Sequence, residues 1–159
     1  MDIRFQITND TLSAGIARAL AASQDFTPAM AEVARVLETG VRERFETGRD
    51  PQGQPWTPSQ RAIEKGGRTL VDTGALLSSI ASASDATSAV VGTNLVYAAI
   101  HQAGGTIRPK RGRALNTPFG PRGAVKMPAR PFLGFGPYEV EEIEDILGRH
   151  LADALEGRP

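Results

Sequence analysis

The chain contains no cysteine. That absence excludes thiolate catalysis, disulfides and cysteine-based zinc sites together, and it suits folding in a reducing cytoplasm. Histidine is nearly as scarce, with only His101 and His150, and neither stands at a metal-ligand spacing from other donors. Neither sign of charge is in excess: 18 Lys and Arg balance 18 Asp and Glu, which argues against a uniformly basic nucleic-acid binder or an acidic disordered chain. No apolar run approaches the roughly 18 to 20 residues needed to cross a bilayer. The opening MDIRFQITND carries two acids and no apolar core segment, so no signal peptide and no membrane partner are expected. At 159 residues the chain can bury roughly 70% of its unfolded surface without a metal or disulfide staple. The expectation is one soluble, intracellular domain over residues 1–159.

The neutral total hides a segregated distribution. Residues 1–85 hold nine basic and eleven acidic side chains. Residues 86–138 hold seven basic groups (Arg108, Lys110, Arg111, Arg113, Arg122, Lys126 and Arg130) and no acid. Residues 139–159 reverse this, with two basic and seven acidic groups. Such asymmetry concerns partners more often than folding: the basic segment either folds back on the chain's own acidic C-terminal helix or meets something external. Glycine and proline crowd the same region, 13 of the 34 positions in 104–137, so regular structure is not expected to run far there.

Hydrophobic periodicity outlines the elements. Ile3, Phe5 and Ile7 alternate with polar residues as in a half-buried strand. Asn9 or Asp10 then caps a helix to about Ala22. Thr27-Pro28 starts the clearest helix, in which Met30, Val33, Leu37, Val41 and Phe45 recur as far as Thr47. Residues 48–58 read as a loop. Short helices are predicted over 58–65, capped by Thr57, and over 73–80, capped by Asp72 or Thr73. Residues 80–84 and 89–92 read as a hairpin, 95–102 as a short helix or a strand, and 105–108 and 124–127 as two strands joined by the basic loop 108–126. Val140, Ile143, Leu147, Leu151 and Ala154 form one helical stripe over 138–156, with acids on the other face and in the first turns, where the helix dipole favours them. The fold class is therefore α+β: a small, mostly antiparallel sheet against two or three helices, with a long basic Gly/Pro-rich loop and a C-terminal helix. The chain divides into an N-terminal strand and helices (1–47), a loop-rich sheet region (48–137) and the acidic helix (138–156).

Signals for catalysis are missing. There is no GxSxG elbow and no HExxH pair, and Glu64-Lys65-Gly66-Gly67-Arg68 has the composition of a phosphate loop without its order or its strand-to-helix setting. The carboxylates that pair up lie on solvated helix faces. No catalytic residue, metal site or cofactor is expected. His101, before Gly104-Gly105, is read as structural, hydrogen-bonding backbone beside the glycine turn, and His150 as simply exposed. The basic stretch lacks a recognition helix and holds one aromatic, Phe119, which speaks against sequence-specific readout. Seven phosphate contacts would still give a log K against log salt slope of about −6.

Four segments together resemble a known family. Residues 45–56, FETGRDPQGQPW, are similar to its F-x-x-g-x-D-P-x-G-x-x-W signature, through Asp50, Pro51, Gly53 and Trp56. Residues 70–80, LVDTGALLSSI, are similar to its following segment, through Thr73 and Gly74. Val91-Gly92-Thr93 with Tyr97, His101, Gln102, Gly104 and Gly105 resembles a third, and residues 126–134, KMPARPFLG, a fourth, through Pro128, Arg130, Pro131 and Phe132. The family is that of phage virion morphogenesis proteins, the tail-completion or head–tail joining proteins of Mu-like phages and prophages.

The resemblance implies a structural, non-enzymatic virion protein, made in the bacterial cytoplasm and acting at the neck or head-proximal tail end. It implies a ring of itself, six or twelve copies, between portal-side connector proteins and the tail tube or terminator, around a DNA channel that it contacts non-specifically. A ring subunit needs complementary flanks, and the basic segment with Glu141, Glu142, Glu144 and Asp145 on the C-terminal helix supplies a candidate pair. Trp56 reads as a core anchor and the Asp50 turn as a conformational device. Arg130, alone in an apolar, proline-rich strip, is expected to have a partner. The alternatives are a tail terminator capping the tube and, from another class, a non-specific DNA-binding protein using residues 108–130.

Overall fold

A computed structural model of the chain describes residues 17, 21, 25–110, 112, 114–118 and 120–156. The expected N-terminal strand lies outside the described residues, as do Arg111, Arg113 and Phe119 and, apart from the helical Ala17 and Ala21, the first helix. The described elements run α1 (Thr27–Thr47), α2 (Gln60–Lys65), α3 (Ala75–Ser78), β1 (Ala81–Ser84), β2 (Ala89–Gly92), α4 (Ala98–Ala103), β3 (Gly105–Ile107), β4 (Leu115–Thr117), β5 (Gly120–Arg122), β6 (Val125–Met127) and α5 (Pro137–Glu156). The α+β class holds. The strands do not merge into one sheet, however: β1 pairs with β2, β3 with β6 and β4 with β5, as three two-stranded sheets.

The chain forms two compact units, one of residues 1–37, 82–91 and 138–159, the other of residues 38–81 and 92–137. In the first unit the core gathers Ala29, Val33 and Leu37 of α1 with Ile146 of α5, and Phe26, Val36, Ala89, Val91, Ile143 and Leu147 close around them. The α1 residues recur at the 3.6-residue period that puts them on one face. Thr27 begins the helix, and the Asp25 carboxylate accepts from its N–H at 2.9 Å. In the β1–β2 hairpin the Asp85 side chain closes the turn, accepting from the N–H groups of Thr87 and Ser88, both at 2.8 Å, and from both hydroxyls. These bonds hold its carboxyl down at about 2.

The stripe expected on α5 is rotated. Ile146 and Glu139 are buried, while Val140 and Leu151 are 45% and 37% exposed. Apolar residues occupy more than half of this helix's circumference, and the covered half is the one that α1 and β2 residues reach. His150 is half-buried rather than merely exposed, with its ring 5.0 Å from that of Phe26.

The second unit buries Val41, Phe45, Trp56, Leu76, Ile80, Ala98 and Phe132. Phe45 is central: its ring centroid lies 5.7 Å from Trp56, edge-on, and 5.3 Å from Phe132. The cap of α2 is Ser59, whose hydroxyl accepts from the Ala62 N–H, not Thr57. At α3 the N-cap position is Gly74 in a left-handed conformation, and Thr73 contributes only a 3.3 Å bond to the Ala75 N–H. Residues 95–102 resolve in favour of helix, as α4. Within the predicted basic loop the chain makes a second hairpin: β3 and β6 pair antiparallel from Gly105–Met127 to Ile107–Val125, and β4 and β5 from Leu115–Arg122 to Thr117–Gly120.

Candidate functional site

Residues of three of the four motifs converge on one clasp within the second unit. Asp50 Oδ1 accepts from the N–H groups of Gln52 and Gln54, at 2.9 and 2.8 Å, and Gly53 turns the chain at a φ of 81°. The chain returns so that the Trp56 N–H bonds Gly48 O at 2.8 Å. This seats the indole against Phe45, and its Nε1–H donates to Pro131 O at 2.9 Å. Pro51 is buried and packs against Gly134, where an added Cβ would come within 3.0 Å of the Pro51 ring.

From the other side Gln102 holds the same segment. Its Oε1 accepts from the N–H groups of Phe132 and Leu133, both at 3.0 Å, and its Nε2 donates to Leu133 O at 2.9 Å. One side chain thus satisfies three backbone groups of an extended, proline-bounded stretch that has no strand partner among the described residues. Arg44 adds a bond to Phe132 O. The glycine turn has a steric reason: at Gly104, φ 70°, a Cβ would stand 2.6 Å from Ala129 N and 3.0 Å from Met127 O.

Arg130 finds its partners inside the chain. It is 4% exposed, its Nε donates to Thr57 O at 2.7 Å, its Nη2 reaches Pro58 O at 3.3 Å, and its backbone N–H donates to His101 O. Its buried guanidinium ties residues 57–58 to residues 130–132. The His101 ring does not bond backbone as expected. Its Nδ1 is buried and has no hydrogen-bond partner, and its ring meets Tyr97 edge-on at 6.1 Å. Burial and then the Arg130 charge push the imidazole below its ordinary pKa of 6.5, so it is held neutral.

Sequence reasoning singled out Gln102 but missed its bonding, and it missed Arg61 altogether. Arg61 donates to Arg68 O and Val71 O at 2.7 and 2.8 Å and pairs with Asp72 at 3.4 Å, closing the loop after α2. Nothing in local spacing announces a side chain whose acceptors are backbone carbonyls.

The remaining charged candidates take no part in the clasp's hydrogen bonds. Arg108 and Lys110 follow β3, and Arg122 and Lys126 stand on β5 and β6; all four are exposed, and none makes an ion pair among the described residues. The basic segment is therefore a ribbon with solvated cations and no acid of its own. On α5 the candidate acids Glu141, Glu144 and Asp145 are exposed and Glu142 is half-buried, while Glu139, expected among the solvated acids, is buried. Beside the ribbon, in the second unit, opens a cleft of about 1340 Å³ lined by Leu70, Tyr97, His101, Arg122, Val125 and Met127, among others.

The clasp positions backbone segments within the second unit. Among the described residues no three His, Cys, Asp or Glu side chains stand where they could hold a metal ion, and no helix is long and apolar enough to cross a membrane. Residues 7–152 match the phage virion morphogenesis family. The chain is also similar to Mu-like prophage FluMu G protein 2 of Haemophilus influenzae, at 36% identity over 146 residues that cover 91% of this chain and 93% of that protein. No solved structure matches it. With residues of three of the family's motifs drawn into one clasp and a match along nearly its whole length, the chain belongs to the phage virion morphogenesis family and serves in building the phage particle.

Proposed function

We propose that the chain is a structural subunit of the neck or head-proximal tail end, that several copies close into a ring there, and that this ring completes the tail or joins it to the head without catalysis. The observation that carries the reading is the presence on one chain of two exposed patches of opposite sign, the cationic ribbon of β3–β6 and the acidic face of α5. A head-to-tail ring requires two different complementary patches on each subunit, and unpaired exposed charges of this kind steer association. The clasp gives the ribbon a rigid base, because both of its ends are set by Gly104, Gln102 and Arg130. Six or twelve copies would match a tail tube or a portal.

The test is electron microscopy of a lysate from phage in which this gene is interrupted. Filled heads beside separate tails of normal length are the expected result. Tails of irregular length would mean that the protein terminates the tube instead. Intact infectious particles would overturn the assembly role at this junction, and salt-dependent duplex binding by the purified chain would then favour the DNA-binding alternative.

A further inference from the structure

The solvent side of α5 is not a purely polar surface. Val140, Leu151 and Leu155 are 45%, 37% and 49% exposed. At 3.6 residues per turn they fall with Glu144 and Gly148 inside one arc of about 80°, and Glu141 and Asp145 border that arc. Gly148 sits at one edge of that arc, midway along its length. A Cβ added there would meet nothing within 4 Å, so the chain's own packing does not require glycine, although glycine costs a helix interior about 1 kcal/mol against alanine. A bare backbone on an amphipathic face whose apolar side chains are part-exposed admits the close approach of another molecule.

The charge of the face restricts what can approach. The last 21 residues carry seven acids against two bases, which repels nucleic acid and anionic lipid and calls for a cationic partner with apolar ground between its charges. The second unit's cleft has that chemistry. Val125, Met127 and Leu70 line it, and Lys65, Arg122 and Lys126 stand on it with no acidic partner among the described residues. Its two acids are already engaged, Asp72 with Arg61 and Glu64 with Gln60.

We infer that the exposed face of α5 docks into this cleft of a second copy of the chain, with Leu151 and Leu155 against Val125 and Met127, Glu144 between them facing Lys126 and Arg122, and Gly148 at the edge where the partner's backbone comes close. The inference rests on the ring reading and names its contact.

Because the chain has no cysteine, the pair Lys126→Cys with Glu144→Cys gives disulfide-linked oligomers only where copies meet. Particles assembled from that double variant are expected to yield a ladder of linked oligomers on a non-reducing gel, while Ile63→Cys with Glu144→Cys yields none. Lys126→Glu is expected to lower complementation of the interrupted phage about tenfold or more, and adding Glu144→Lys to restore it. Gly148→Leu separates docking from folding: the purified chain should unfold at the same or a higher midpoint, yet fail to complement. Absence of the ladder from particles that hold several copies of the protein, or a charge swap that rescues nothing, overturns the docking and leaves the ring standing. Particles holding a single copy, or none, overturn the ring and the docking together.

Discussion

Replacing Gln102 by alanine removes three hydrogen bonds to the backbone of residues 132 and 133 at once. The acceptors and donors left behind are Phe132 N, Leu133 N and Leu133 O, and Phe132 is fully buried. At about 1 kcal/mol per bond the loss is about 3 kcal/mol. In a chain of this size that lowers the thermal midpoint by about 6 to 12 °C. Trp56 is the only tryptophan and donates to Pro131 O beside the same stretch, so its fluorescence reports the affected region directly. Urea titration followed by that fluorescence should show a lower midpoint at unchanged slope. Gln102→Glu keeps both acceptor bonds but sets a carboxylate oxygen against Leu133 O in place of the donor, so its cost should shrink as acid protonates it. A loss below about 0.5 kcal/mol for Gln102→Ala, the range of ordinary surface changes, would refute the clasp as the organiser of this unit.

Three further outcomes follow from the geometry. Gly104→Ala places a Cβ 2.6 Å from Ala129 N at a φ of 70°, so denaturation should show a loss of at least about 1 to 3 kcal/mol. His101 has its pKa lowered in the folded chain, so the unfolded chain binds the proton more readily: stability is complete above pH 6.5 and falls as pH drops from there to the folded value. His101→Gln should remove that part of the pH dependence, and an equal drop in urea midpoint from pH 7.5 to 5.5 for the two proteins would contradict it. Asp85, held at about 2 by the hairpin turn, stabilises the fold above its ordinary value and loses that contribution as pH falls toward 2. NMR titration of Asp85→Asn against the unchanged chain should show the β1–β2 amides shifting with acid only in the latter.

The two long helices were legible because each repeats apolar residues at 3.6 for several turns: α1 runs over the predicted 27–47 and α5 begins one residue before the predicted start. The outer pair of strands around the basic segment was legible from the glycine turn before Thr106 and the alternation around Lys126. The inner β4–β5 hairpin was not, since proline and glycine suppress the strand signal while still permitting a two-stranded ribbon whose turn is held by the Thr117 hydroxyl on Gly120 O. The buried side of α5 was misjudged because that helix is apolar over more than half its circumference, and its packing partners come from residues more than fifty positions away. The clasp was visible as motif residues but not as a mechanism. Gln102 and Arg130 act on backbone carbonyls and amides thirty to seventy residues distant, and such targets leave no residue type in the sequence to point at them.

The most direct test of the assembly role is the position of the protein in the finished particle. A small affinity tag on the chain, labelled with gold on purified virions, is predicted to mark a single site at the junction of head and tail, and averaged cryo-electron images of that site are predicted to show a closed ring of six or twelve copies. Label distributed along the tail, or none on complete virions, would contradict it.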